Sequence, residues 1–159
     1  MHSVQKVSIQ PDLRGAQLVL LPHLRKRSVG EKVRFLGCVM GYDPTTATLT
    51  LEHDVHPVTS KAGSPMKTIA RVDAHLVLDC LYWDKVRVGE WLNVLGYVEK
   101  HKIEGGKFGQ EYLPVKEQPQ YQPALFVVNI QATYIWSTGP MDIDRYVQTV
   151  RVLEAELSG

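Results

Sequence analysis

Short apolar runs separated by turn residues restrict the fold of this sequence more than any other feature. Runs of this length, rich in β-branched and aromatic residues, are typical of strands, whereas helices need longer periodic segments. Turn signals such as Asp43-Pro44 separate neighbouring runs. The sequence therefore predicts five strands, at residues 32–42, 47–52, 69–81, 91–98 and 124–136.

The spacing of apolar residues changes after Asp142. Steps of three and four residues place the following apolar side chains on one helical face. Asp142 is suited to be an N-cap, and neither Gly nor Pro interrupts the segment before Gly159. The sequence predicts a helix over residues 142–157. Its apolar positions are Ile143, Tyr146, Val147, Val150, Leu153 and Leu157.

The order of these elements predicts an all-β fold with a terminal helix, namely a five-stranded OB-fold β-barrel plus a C-terminal α-helix. A β-sandwich would need about seven strands. The first fifteen residues have no sustained period and are predicted to be a flexible extension, so residues 16–159 form a single domain. Gly37 and Gly41 interrupt one strand and predict tight coiling or close backbone approach.

The charge balance argues against high intrinsic affinity for nucleic acid. The chain has 18 Lys and Arg against 17 Asp and Glu, a net charge of +1, whereas phosphate neutralisation needs a basic excess. Cys38 and Cys80 lie in apolar runs and are predicted to be buried, reduced thiols. No signal-peptide pattern opens the chain and no apolar run approaches ~20 residues, so we expect a soluble nuclear or cytoplasmic protein without a membrane.

Several stretches resemble one known family. They are QLVLLPHLRKRSVGEKVRFLG, the hairpin EKVRFLGCVMGYDPTTATLTLEH, VGEWLNVLGYV and ALFVVNIQATYIW followed by a helix. In this order the chain is similar to the Ten-one family, the smallest OB-fold subunit of the telomere-capping CST complex. The resemblance covers roughly residues 17–157; the first fifteen residues and the long segment 99–122 are additional to the compact form of that family.

The resemblance implies a non-enzymatic protein without cofactor, metal or small-molecule substrate. It implies heterodimerisation with the Stn-one subunit, association with the large CST subunit, and shared, individually weak binding of single-stranded telomeric DNA. The expected location is the nucleus, at the telomeric region of chromosomes, and the expected roles are end protection and telomere length regulation. The smallest subunit of a replication protein A-like complex remains the alternative, as does an independent single-strand binding module.

The helix is the strongest candidate for partner binding. Its apolar stripe is broader than a helix needs to close the end of its own barrel, which is the competing interpretation. Each large side chain buried against a partner would contribute about 1.5–3 kcal/mol. The candidate partner-binding residues are Ile143, Tyr146, Val147, Val150, Leu153 and Leu157.

Two basic segments are candidates for nucleic-acid binding. The first surrounds the start of the first long strand, and the second lies in the segment 99–122, where glutamates offset the lysines. Binding of a single strand needs cations and stacking aromatics together, while the competing interpretation is a solvated turn and a flexible hairpin. The candidate residues are Arg25, Lys26, Arg27, Arg34 and Tyr42 in the first segment, and Lys100, Lys102, Lys107 and Phe108 in the second.

The remaining motifs give little support for chemistry. Large aromatics in apolar strands are predicted to be core residues, which applies to Trp83, Trp91 and Trp136. His53 and His56 lack a third ligand at a fixed spacing and are weak evidence for a metal. The sequence contains neither a nucleophile elbow nor a phosphate-binding loop, and catalysis is not expected.

Overall fold

The computed structural model describes residues 15–54, 58–59, 65–104 and 124–158. The predicted flexible extension, residues 1–15, lies almost entirely outside them. The strands are β1 (Gln17–Leu18), β2 (Lys32–Asp43), β3 (Thr48–Glu52), β4 (Val58–Thr59), β5 (Pro65–Asp73), β6 (Trp91–Glu104) and β7 (Leu125–Ser137). A first 3₁₀ helix (Leu21–Lys26) precedes β2, a second (His75–Cys80) follows β5, and the chain ends in α1 (Ile143–Ser158).

The five long strands close on themselves into a barrel. Their order is β2, β3, β5, β7 and β6, and β6 pairs back with β2 to complete the circle. All of these pairings are antiparallel except that of β5 with β7, which is parallel. β1 pairs with β2 and β4 pairs with β5 outside this circuit. The predicted OB-fold barrel with a C-terminal helix is confirmed, with the short strands as additions.

Strand alternation determines which side chains fill the barrel. Val33, Phe35 and Val39 of β2 point inward with no exposed area, and Leu49 and Leu51 of β3 do the same. Both 3₁₀ helices contribute buried side chains to the same core. Their core residues are Leu21 and Leu24, and Val77.

A register shift in β2 moves one candidate site residue toward the interior. The pairing of β2 with β3 is irregular between Val39 and Gly41, so Tyr42 is paired with Leu49, whose side chain faces the core. Tyr42 consequently packs against the core cluster and is only half-exposed. Its ring is therefore less available for base stacking than that of a fully exposed tyrosine.

Close backbone approach occurs at Gly37, as predicted, but not at Gly41. A Cβ atom at Gly37 would lie 2.9 Å from the Cβ of Leu51, whereas one at Gly41 would meet nothing within 4 Å. The tightest position is Gly96, where a Cβ atom would lie 2.2 Å from the backbone oxygen of Gln131. β6 and β7 shift register at Gly96, so only glycine fits the unaltered backbone there.

We expect Gly96→Ala to destabilise the protein by about 2–3 kcal/mol, because the added methyl group collides with a backbone oxygen that cannot rotate away. Thermal unfolding should show a melting temperature lower by roughly 5–10 °C. Gly41→Ala is the matched control, since the same atom enters open space, and it should change the free energy of unfolding by less than about 0.5 kcal/mol. Equal stability of the two variants would contradict the packing described.

Several sequence-based boundaries and burials are wrong. The strand predicted over 69–81 ends at Asp73, where a 3₁₀ helix begins, and the predicted loop 99–122 starts later because β6 continues to Glu104. Trp83 is 74% exposed instead of lying in the core, because it follows the second 3₁₀ helix on a surface turn. Cys38 and Cys80, predicted to be buried, are half-buried free thiols.

Within the described ranges, no helix combines the length and apolar character needed to cross a bilayer.

Candidate partner and nucleic-acid interfaces

Helix α1 begins where the sequence predicts it. The side-chain oxygen Oδ1 of Asp142 accepts a hydrogen bond from the backbone N–H of Arg145 at 3.2 Å, as an N-cap does. The backbone N–H of Tyr146 donates to the Asp142 carbonyl at 3.0 Å, which forms the first helical turn. The cap fixes the start of the helix, and the 3.6-residue period then fixes which side chains face the barrel.

One face of α1 packs against the segment that precedes β2. Val147 and Val150 are buried in a cluster with Leu20, and Leu18, Ile143 and Tyr146 border this cluster. Glu154 anchors the far end of the helix, because it accepts hydrogen bonds from the backbone N–H of Leu20 at 3.1 Å and from Nδ1 of His23 at 2.6 Å. Val147 and Val150, both predicted to bind a partner, thus make contacts within their own chain.

A second flank of α1 remains uncovered. Leu153 is 40% exposed and Leu157 is 69% exposed, and both lie on the same side of the helix as Tyr146. The ring of Tyr146 is half-buried, and its hydroxyl oxygen is buried without a hydrogen-bond partner among the described residues. Burial raises the pKa of Tyr146, and the positive charge of nearby Arg34 opposes that rise. The flank therefore combines apolar surface with an unsatisfied hydroxyl.

The barrel wall near Tyr146 is also aromatic. Arg34 of β2, Leu95 of β6 and Tyr134 of β7 are paired in register, so their side chains share one outer face. The guanidinium of Arg34 lies 5.0 Å from the ring centre of Trp136, and the Trp136 ring lies 5.3 Å from that of Tyr134. Tyr134 is 51% exposed. We call Arg34, Tyr134, Trp136, Tyr146 and Leu153 the helix–wall surface.

Sequence reasoning assigned parts of this surface elsewhere. It placed Arg34 with the nucleic-acid candidates and Trp136 in the core, and it did not select Tyr134. The alternation of Tyr134 and Trp136 along one strand was the signal available, because residues two apart on a strand face the same side. Arg34 reaches these rings because β2 pairs with β6. These two strands lie far apart in the sequence.

The first basic segment is dispersed by the fold. Arg25 and Lys26 end the first 3₁₀ helix, and Arg25 contacts the sulfur of Met66 at 3.7 Å. Arg27 donates a hydrogen bond to Oε1 of Gln17 at 2.9 Å and lies 3.9 Å from Glu31. Lys26 is exposed. Arg34 projects instead toward Trp136, so these four cations do not form one patch with Tyr42.

A shallow groove crosses the outer face of β2, β3 and β5. It contains two adjoining hollows of about 510 and 220 Å³, and both are lined by Thr48 and Arg71. Tyr42 lines the larger hollow and Lys100 lines the smaller one. We call Tyr42, Thr48, Thr50, Arg71 and Lys100 the barrel groove. An OB-fold binds oligonucleotides on the corresponding face.

Arg71, the main cation of the barrel groove, is already bound to a carboxylate. Arg71 donates two hydrogen bonds to the carboxylate of Glu104, at 2.7 and 2.8 Å, and Lys102 lies 3.0 Å from the same carboxylate. Hydrogen bonding from Arg71, followed by that from Lys102, lowers the pKa of Glu104 from 4.5 to about 2. This interaction favours folding above pH 4.5 and is lost as the pH falls towards 2.

Sequence reasoning did not select Arg71. The alternation in β5 could have indicated it, since Ala70 and Val72 are buried while Arg71 between them is not. Lys107 and Phe108, two of the nucleic-acid candidates, lie outside the described residues. Of the His, Cys, Asp and Glu side chains within those residues, no three are placed to hold a metal ion; His56 is not among them.

The barrel topology and the helix define the class of this protein as an OB-fold protein with an added C-terminal helix. The Ten1 family (Ten-one), described as "Telomere capping, CST complex subunit", matches residues 7–151. The chain belongs to this family. The resemblance found in the sequence is therefore confirmed, and the protein is a telomere-capping CST subunit.

Two solved structures share the fold. A chain of the crystal structure of the S. pombe Stn1–Ten1 complex is 19% identical, with a TM-score of 0.57, and the match covers 90% of this chain and 95% of that one. The telomere capping protein Ten1 from Saccharomyces pombe is also 19% identical, with a TM-score of 0.55 and coverage of 89% and 99%. No curated protein sequence matches the chain.

Proposed function

We propose that this telomere-capping subunit forms a heterodimer with an Stn1 subunit through the helix–wall surface. The observation that carries the proposal is that one flank of α1 is buried against the barrel and another is exposed. Val147 and Val150 hold the helix to its own barrel, whereas Leu153 and Leu157 remain exposed beside it. The likeness to a chain of the S. pombe Stn1–Ten1 complex supports this assignment at the level of the fold.

The composition of the helix–wall surface suits a stable protein interface. Tyr, Trp and Arg are the residues most enriched among interface hot spots, and Arg34, Trp136 and Tyr134 lie together beside Tyr146. Ile143 and Leu157, the other predicted contact residues, lie at the two ends of the helix. The apolar flank supplies burial energy, and the half-exposed ring of Tyr146 adds aromatic contact area for the partner.

The role that follows is architectural and not enzymatic, without cofactor or small-molecule substrate. The protein stabilises Stn1 and, with the large CST subunit, acts in the nucleus at the telomeric region of chromosomes in end protection and length regulation. It contributes to single-stranded DNA binding through the barrel groove, and weakly when alone, because Arg71 and Lys102 are bound to Glu104. The near-neutral net charge of +1 agrees with this weakness.

Co-purification of the full chain with the Stn1 subunit of its own organism tests the proposal. We expect a 1:1 complex in size-exclusion chromatography, and the isolated chain should bind a 20-nucleotide oligothymidine in fluorescence anisotropy only in the micromolar range or weaker. Tight DNA binding by the isolated chain without complex formation would support an independent single-strand binding module instead.

A further inference from the structure

A surface cavity lies beside the first turn of α1 and belongs to neither the helix–wall surface nor the barrel groove. It has a volume of about 280 Å³. β2, β3, β6 and the segment after β3 contribute its walls, and the start of α1 borders it. The lining residues are Cys38, Glu52, His53, Asp54, Trp91 and Ile143.

The cavity is negatively charged although the whole chain is close to neutral. Burial raises the pKa of the Cys38 thiol, and the charge of Glu52 adds to the rise, with a smaller contribution from Glu90. Glu52 is bonded to Lys67, whose pKa it raises. Asp54 is exposed, and within the described ranges no salt bridge engages it. The charge of Asp54 contributes to the raised pKa of Lys67, but its exposed side chain can still be contacted by a cation that enters the cavity.

His53 forms an uncharged, hydrogen-bond-accepting part of the wall. Its side chain is buried, with 5% exposed, and burial lowers its pKa, so the ring is neutral at pH 7. The backbone carbonyl of Leu36 accepts one ring N–H. The other nitrogen, Nδ1, is buried without a partner in the part of the chain that the structure describes. A neutral ring with this tautomer presents an acceptor and does not repel a cation.

Trp91 supplies an aromatic wall. Its ring meets that of His53 edge to face at a centroid distance of 4.9 Å. The other two tryptophans each have an arginine over the ring, Arg34 at 5.0 Å from Trp136 and Arg87 at 4.9 Å from Trp83. No cation from the described residues lies over Trp91. The half-buried ring lines the cavity, so a cation that enters the cavity can contact it.

We propose that this cavity binds the guanidinium group of an arginine side chain presented by the protein that docks on α1. A guanidinium matches the three walls, since it is always charged, donates in several directions within one plane, and stacks on aromatic rings. A protein is the source because Ile143 both borders the cavity and belongs to the helix that carries the docking flank. This inference rests on the proposed pairing with Stn1.

Nuclear magnetic resonance on the isolated full chain tests the chemistry without any partner. Titration with Nα-acetyl-arginine amide should give saturable shifts of the His53 ring nitrogens and of the Trp91 indole, with millimolar affinity. The citrulline analogue, which has the same shape without the charge, should give no saturable shift, and the lysine analogue should bind at least fivefold more weakly. An equal response to arginine and citrulline would overturn the proposal.

Asp54→Asn locates the binding, and Asp84→Asn is its matched control because Asp84 is also exposed and does not line the cavity. We expect Asp54→Asn to weaken the binding of arginine amide at least fivefold and the binding of Stn1 about tenfold. Asp84→Asn should change neither affinity by more than twofold. If arginine amide binding depends on Asp54 but Stn1 affinity does not, the cavity binds free cations, and the proposal that it binds an arginine of the docking protein is refuted. If the wild type does not bind Stn1 at all, the proposed pairing fails, whereas the titration still decides the chemistry of the cavity.

Discussion

Replacing both Tyr146 and Leu153 with alanine should weaken the affinity for Stn1 at least about 100-fold, which corresponds to about 2.7 kcal/mol. Leu153 is 40% exposed and Tyr146 is half-exposed, so both side chains have contact area that a partner can cover. Each large apolar side chain buried at an interface contributes about 1.5–3 kcal/mol. Isothermal titration calorimetry with the purified Stn1 subunit measures the loss.

Two variants of the same helix separate docking from folding. Val150→Ala removes a side chain buried within the chain, so it should lower the melting temperature while leaving the affinity of the folded protein within about threefold. Val152→Ala removes an exposed side chain from the side of α1 opposite Val150 and should change neither quantity. If the Tyr146/Leu153 double variant loses stability but binds Stn1 as the wild type does, α1 serves only its own barrel.

Glu104→Gln should strengthen the binding of single-stranded DNA by the isolated chain about tenfold at low salt. Glutamine keeps the shape of the side chain but removes the charge that holds Arg71 and Lys102, and both cations can then reach phosphates. Each phosphate contact to a single strand changes the slope of log K against log salt by about −0.7. Fluorescence anisotropy with oligothymidine at several salt concentrations should therefore give a slope steeper by roughly 0.7–1.4.

Glu156→Gln is the matched control, since it removes the same charge from an exposed position of α1 away from the barrel groove. Its binding and salt slope should equal those of the wild type. Adding Arg71→Gln to the Glu104→Gln variant should cancel most of the gain. An unchanged salt slope in Glu104→Gln would mean that Arg71 and Lys102 do not contact the phosphates.

Alternation and period were sufficient to predict the main elements. The buried positions Val33 and Phe35, and Leu49 and Leu51, follow a period of two, which is the strand repeat. After Asp142 the period becomes helical, and α1 starts at Ile143 as predicted. These are local properties of the chain, because a side chain's direction depends on its own backbone conformation.

Contacts between distant segments could not be predicted in the same way. Arg71 and Glu104 are 33 residues apart and meet only because β5 pairs with β7 and β7 with β6. The prediction that Trp83 is buried was wrong. An aromatic side chain indicates a core residue only when the residue lies in a strand and its side chain faces the core. No pattern in the sequence indicated that Trp83 lies on a surface turn after the second 3₁₀ helix.

The sequence by itself determined a five-stranded barrel with a terminal helix, and it indicated that helix as the docking element. The tertiary structure decided which flank of the helix is left uncovered, since Val147 and Val150 pack with Leu20 while Leu153 is 40% exposed. The physical reason is that periodicity gives the direction of each side chain relative to its own helix. Which of these directions is covered depends on where the barrel places the helix, and that is a property of the whole fold.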